Sequence, residues 1–239
     1  MNPLFDLPPF PGFREDGLQF MRDLKRNNER DWFKPRKSTY DDELVWPMQC
    51  LIVQLTREAS ASKLPYQGDP GSSIFRIYRD TRFSKNKHPY KTHIGAVLTR
   101  TGDRKEPGGV YIHVEPGGSF IAGGFWNPER DLLLRFRQRM AAFPEEFIGI
   151  VDDLRSKGLH AEPEEKLKRM PRGIDATEDH PAAVYLKWKS FVASRSVTDD
   201  ELQDPAFAET VLTTMRDMLP LLEYGWMLEG PREPFDEQQ

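Results

Sequence analysis

A chain of 239 residues with 38% hydrophobic and 30% charged content, fifteen Phe and five Trp can bury a substantial core. Its formal net charge of −4 speaks against broad, non-specific nucleic-acid binding, although a local basic groove is compatible with it. Cys50 is the only cysteine, which excludes an internal disulfide and a cysteine-based zinc site; beside Met48, Leu51 and Ile52 it reads as a buried thiol. No stretch approaches membrane-spanning length, and the opening residues lack the basic and apolar regions of a signal peptide, so a cytoplasmic protein with no membrane partner is expected.

In chain order, residues 1–12 carry four prolines and read as an extended arm. Asp16 is the expected N-cap of an amphipathic run through Leu18, Met21 and Leu24 that stops at Asn27-Asn28. Trp32 and Phe33 anchor the following turn. A longer helix after Pro35 places Tyr40, Leu44, Met48, Leu51, Leu55 and Ala59 on one face, with Pro47 expected to kink or split it. A Pro-, Gly- and Ser-rich loop then leads to residues 74–79, 92–100, 110–115 and 119–126, which alternate with a period of two and read as strands. The Gly102 and Pro116-Gly117-Gly118 connections are short, which implies an antiparallel meander.

On these strands Arg76, Tyr78, Tyr111 and His113 are expected on the face opposite the apolar side chains. Asn127-Pro128-Glu129 reads as a helix start, with Leu132, Phe136 and Met140 on the buried stripe and Pro144 ending it. A short helix around residues 147–154 follows, then a polar loop with a helical turn at residues 164–169. Residues 181–187 read as helix, 188–197 as a further strand, and Pro205 opens a last helix through Phe207, Val211, Met215 and Leu222. The expected architecture is α+β: a single domain over residues 13–229, an antiparallel β-meander of four or five strands with helices on one face, and a polar tail at 230–239.

The chemistry concentrates between Arg76 and Lys91, where six of sixteen residues are Lys or Arg and Asp80 is the only carboxylate. Ile77, Tyr78, Phe83 and Tyr90 interleave the charges, which marks the segment as folded. Guanidinium forks and mobile ammonium groups brought together by one loop would hold a phosphate or carboxylate. The candidate ligand-binding residues are therefore Arg76, Arg79, Arg82, Lys85, Lys87, Tyr90 and Lys91, with Trp126 as a stacking surface and His113 as the catalytic proton carrier. The structural alternative is an ion-pair network with solvated lysines. Gly123-Gly124 before a helix could seat an anion, or could simply allow close packing. His93, His113 and Glu115 could ligate a metal, but strand spacing alone is weak, and no metal site is assigned. A small anionic ligand is the leading partner. A nucleic-acid module and a scaffold whose basic loop meets an acidic partner are the alternatives. No cofactor or oligomeric state is legible.

The run Arg79-Asp80-Thr81-Arg82-Phe83-Ser84-Lys85-Asn86-Lys87-His88-Pro89-Tyr90-Lys91-Thr92 resembles the central motif of a bacterial and fungal family called domain of unknown function 2461. Asn27-Asn28, Trp32-Phe33, Tyr111-Ile112-His113-Val114 and Gly123-Gly124-Phe125-Trp126-Asn127-Pro128 extend the resemblance over most of residues 13–195. Asn86 and His88 depart from the pattern, which expects an acidic and a small residue there. The resemblance implies a single α+β domain and carries no activity with it.

Overall fold

The computed structural model describes residues 6–163 and 165–229, so Glu164 and the expected polar tail at 230–239 lie outside it. Helices α1 (Glu15–Arg26), α2 (Arg30–Phe33), α3 (Lys37–Tyr40) and α4 (Trp46–Ala61) precede strands β1 (Ile94–Leu98), β2 (Gly109–Val114) and β3 (Ser119–Phe125). Then come α5 (Arg130–Ala142), α6 (Pro144–Ser156), α7 (Ala183–Leu186), β4 (Phe191–Val197), α8 (Asp199–Gln203) and α9 (Phe207–Leu228). The four antiparallel strands form one open sheet in the order β1-β2-β3-β4, giving an α+β fold. The described residues pack as two compact units, one within residues 6–122 and 194–216 and the other within residues 123–193 and 217–229, and β3, β4 and α9 each run from one into the other.

In the first unit the strand alternation appears as read from sequence. Ile94, Ala96 and Leu98 pair in register with Val114, Ile112 and Val110, and all six are fully buried. Each of the Val, Leu and Ile side chains among them contributes about 1.5–3 kcal/mol by leaving water. The intervening Tyr111, His113 and Glu115 point to the other face and stay half-buried. The helical face from Tyr40 to Ala59 is buried at every expected position. Pro47 falls in the first turn of α4, where a missing N–H costs little, and the run is divided just before it by a π-helical turn at Asp41–Val45. Arg14 anchors this turn, its Nε donating to Glu43 Oε2 at 2.6 Å.

The second unit is built on aromatic packing. Phe136 stacks on Phe191 at 4.2 Å, and Phe147 stands edge-on to Tyr185, Trp188 and Phe191. At Gly124, where φ is +134°, a Cβ would lie 2.1 Å from the Phe191 carbonyl oxygen. That approach between neighbouring strands is what requires glycine there.

Four local expectations are corrected. The described residues 165–169 form no helical turn: Lys166 bridges Trp188, and Leu167 N–H donates to Lys187 O. Residues 74–79 are not a regular strand, because their backbone changes partner midway. Phe75 N–H donates to Gly95 O, whereas Arg79 N–H donates to Pro89 O and Lys91 N–H to Ile77 O, leaving isolated bridges at Ile74–Ala96 and Tyr78–Tyr90. Helix α1 starts at Glu15 with Arg14 as its cap, so Asp16 sits inside the first turn. Asn127 does not cap α5, which begins at Arg130 after Glu129. Instead Asn127 takes a left-handed conformation, with φ +45°, and its N–H donates to Ser190 Oγ.

Candidate functional site

The change of partner at residue 77 folds the basic segment back on itself. Ile77–Arg79 and Pro89–Lys91 form the base of a long loop, with residues 80–88 at its tip. Asn28 fixes that base: its side-chain amide donates to Tyr90 O and accepts from Tyr90 N–H, both at 3.0 Å. The Tyr90 ring stacks on Phe33 at 4.2 Å and is 3% exposed, so Tyr90 anchors the loop from within the core. Asn28 and Phe33 thus connect the Asn-Asn and Trp-Phe motifs to the basic segment.

Folding in this way separates the six cations of the segment into two sets. At the tip Arg82 pairs with Asp80, Nη2 to Oδ2, at 2.7 Å, and Lys87 Nζ donates to Thr81 O at 3.0 Å. Arg79 Nη1 donates to His88 O at 3.2 Å, and Lys85 is exposed. At the base Arg76 and Lys91, fifteen residues apart, line one open cleft of about 830 Å³. The cleft also holds Lys37, Arg104 and Lys105, against Asp41 as its single carboxylate, and Asp41 is bound to Lys37.

Phe75 lies at the centre of this charge. Lys91 Nζ stands 5.5 Å and Arg104 Cζ 5.4 Å from its ring centroid, so both cations rest against a π surface. Arg104 is steadied by donation to Ile74 O at 3.1 Å. Its loop is held by Glu106, whose carboxylate takes Arg100 Nε at 2.9 Å and Thr101 N–H at 2.7 Å. Burial, with Arg76 and Arg104 adding repulsion, pushes the Lys91 ammonium below the usual lysine range. Among the described residues, Arg76, Lys91, Arg104 and Lys105 have no carboxylate partner. Phe33, Phe75 and Tyr78 give the cleft apolar surface.

The half-buried sheet face carries a second cluster. Tyr111 Oη and His113 Nδ1 are 3.1 Å apart, and His113 Nε2 lies 3.4 Å from Glu115 Oε2. Thr92 Oγ1 donates to Glu115 Oε1 at 3.0 Å, and Lys25 Nζ lies 3.4 Å from the same oxygen. Phe120 stacks on the His113 ring at 4.5 Å, and the ring of His93, just before β1, lies 4.2 Å from that of His113. Burial, then His113 and Lys91, pull His93 down to about 4. Burial also lowers His113 despite the opposing pull of Glu115. Hydrogen bonds from Thr92 and His113, with Lys25, outweigh burial at Glu115 and hold it below the usual carboxylate range. Burial thus favours the neutral form of both imidazoles beside the Glu115 carboxylate. Gly95 makes room for Tyr111, since a Cβ there would lie 2.3 Å from its hydroxyl oxygen.

The family model described as "Conserved hypothetical protein (DUF2461)" matches residues 16–224. The chain belongs to the DUF2461 family. Searches of curated proteins and of solved structures gave no match.

In this DUF2461 member the cleft gathers two of the expected ligand residues, Arg76 and Lys91, and leaves Arg79, Arg82, Lys85 and Lys87 outside its lining. Trp126 belongs to the second unit and is 78% exposed. Gly123-Gly124 serves strand packing through the Phe191 approach. Lys37, Arg104 and Lys105 were missed by the sequence reading. Arg104-Lys105 is visible as a basic pair in a hairpin loop, but nothing in the sequence aims that loop at Arg76. Cys50 is buried, which raises its thiol pKa and removes it as a nucleophile. Among the described residues no helix is long and apolar enough to cross a membrane.

Proposed function

We propose that the protein binds a small phosphate- or carboxylate-bearing ligand in the cleft at the base of the basic loop, with Arg76, Lys91 and Arg104 holding the anion. The observation that carries this reading is the set of five cations lining one hollow with a single acid, Asp41, already bound to Lys37. Like charges drawn together without counter-charges raise the free energy of the folded chain, and an anion seated among them would relieve that repulsion. A volume of about 830 Å³ suits a phosphorylated metabolite or nucleotide. Tyr78, which is 51% exposed, and Phe75 offer faces for a flat or apolar body. His113 lies on the adjoining sheet face, linked through Tyr111 to the edge of Phe75 at 5.7 Å, and serves this reading as proton acceptor.

Thermal melts with inorganic phosphate, nucleoside monophosphates and dicarboxylates test the proposal. A ligand at a hundred times its Kd stabilises by about 2.7 kcal/mol, and for a chain of this size that raises Tm by roughly 5–10 °C. Arg76→Gln combined with Arg104→Gln should fold and lose the response. A panel without any responding anion, or an unchanged response in the double variant, would refute the reading.

One observation favours a second reading. Phe83 at the loop tip is 94% exposed beside Arg82, with Lys85 and Lys87 close in sequence, as in a stacking platform for single-stranded nucleic acid. A salt titration separates the two: several phosphate contacts give a steep loss of affinity with salt, and one seated anion a shallow loss.

A further inference from the structure

We propose that His93, His113 and Glu115 form a binding site for one divalent transition-metal ion of the zinc or ferrous type, with two imidazoles and one carboxylate as ligands and the remaining positions open to water or an anion. None of the three lines the cationic cleft; His113 alone is shared with the anion-binding reading, as its proton acceptor, and the metal site needs none of the cleft cations.

The geometry starts with strand register. Gly95 pairs with His113 and Ile94 with Val114 at the end of the β1–β2 ladder; His93 and Glu115 are the next residues beyond it, and the His93 ring lies 4.2 Å from that of His113. The three side chains each bring one donor atom, and these atoms lie within 4.8 Å of one another. Bonds of about 2.0–2.2 Å to one ion hold neighbouring ligand atoms roughly 3.0–3.4 Å apart. His113 Nε2 and Glu115 Oε2, at 3.4 Å, already meet that span, which is long for a hydrogen bond. Small rotations of the His93 ring would close the rest.

The surroundings have the character of a supporting shell. Glu115 Oε1 is engaged by Thr92 and Lys25, which leaves Oε2 facing the histidines. The Phe120 stack fixes the plane of the His113 ring. Tyr111 Oη sits on Nδ1, so with a metal on Nε2 the Nδ1–H would donate to Tyr111, the outer hydrogen bond that orients a ligating histidine. His93 completes the set: its half-buried ring lies against that of His113 and, among the described residues, makes no protein hydrogen bond, which leaves its ring nitrogens open to water or a metal ion. Two histidines and one carboxylate with open positions suit zinc or ferrous ions better than calcium or magnesium, which prefer all-oxygen sites.

The test uses tag-free full-length protein, stripped with a chelator and titrated with Co²⁺ and then Zn²⁺. Only five histidines are present in the chain, which limits background binding. The expected result is one equivalent of Co²⁺ with visible ligand-field bands, displacement by Zn²⁺, and hyperfine-shifted imidazole N–H protons from two histidines in the wild-type NMR spectrum. His93→Asn and Glu115→Gln should each weaken Zn²⁺ binding at least tenfold, and His93→Asn with His113→Asn should abolish it. Arg76→Gln should bind as wild type does. The wild-type spectrum needs no variant to fold: absence of stoichiometric uptake, or uptake without shifted imidazole protons, would overturn the proposal. Unchanged affinity in the double histidine variant would do the same.

Discussion

Lys91→Met separates what the cationic cleft does for stability from the anion binding proposed for it. Met keeps the length and apolar stem that lie against Phe75 and removes only the charge. Lys91 Nζ and Arg104 Cζ are 5.5 and 5.4 Å from the same ring centroid, so the sum of those distances, about 11 Å, bounds their separation. Two unit charges at such a distance in water repel by roughly 0.4 kcal/mol, and salt screens part of that. Arg76 adds a second repulsion, and burial, the largest cause of the lowered lysine pKa, a desolvation penalty. Because the ammonium group keeps substantial contact with solvent, the total is discounted to about 0.5–1 kcal/mol. The variant should therefore melt about 1–3 °C higher than wild type near neutral pH and lose most of its phosphate-induced stabilisation. The sign with pH follows from the lowered pKa. Between that value and the ordinary value of 10.5 the unfolded chain binds more protons than the folded one, so wild-type stability gains on the variant's as pH rises through that window. Urea melts at neutral and alkaline pH, with and without phosphate, measure both effects. A variant that melts lower than wild type and still responds fully to phosphate would show that Lys91 is held for packing alone.

Two further perturbations probe the supports of the two clusters, and a third probes strand packing in the second unit. Glu106→Ala removes a carboxylate whose side chain is 1% exposed and leaves Arg100 and the Thr101 N–H without it, so a loss of about 1–3 kcal/mol in urea melts is expected, together with a weaker phosphate response as Arg104 loses its fixed loop. Gly95→Ala forces the Tyr111 ring away from a Cβ that would lie 2.3 Å from its oxygen, and overpacking of this kind costs about 1–3 kcal/mol; NMR of His113 should show the Tyr111 bond lost, and an unchanged spectrum would contradict the geometry. Gly124→Ala sets a Cβ 2.1 Å from the Phe191 carbonyl at φ +134°, and a loss above roughly 3 kcal/mol is expected because neither backbone can yield cheaply; circular-dichroism melts of the variant read it directly.

Periodicity made the buried faces legible because it depends only on local geometry. The alternation of Val110, Ile112 and Val114 and the helical spacing from Tyr40 to Ala59 needed no knowledge of partners. The site was legible only in part, because it depends on which backbone groups pair. Residues 74–79 alternate like a strand, yet the ladder breaks where partners change from Gly95 to Pro89, and that break is a tertiary event. It decides the electrostatics: charges before the break and after the return reach the cleft, while those between them extend into the loop tip. A contiguous run of cations therefore resolves into a base pair of residues, Arg76 and Lys91, completed by Arg104 from a hairpin loop with no sequence link to either. The same logic governs the histidines. His113 and Glu115 could be placed together from spacing alone, but His93 joins them only through the β1–β2 register, which no single strand encodes. Where a cluster draws on two strands or two loops, the sequence supplies the residue types and the pairing supplies the site. Perturbing the pairing should then remove the proposed anion binding without touching a side chain that lines the cleft. Asn28→Ala is the sharpest case, since it removes both bonds to the Tyr90 backbone and should abolish the anion response while every cleft cation remains in the chain. A full phosphate response in that variant would show that the cleft assembles without the loop base and would undo the account of how it forms.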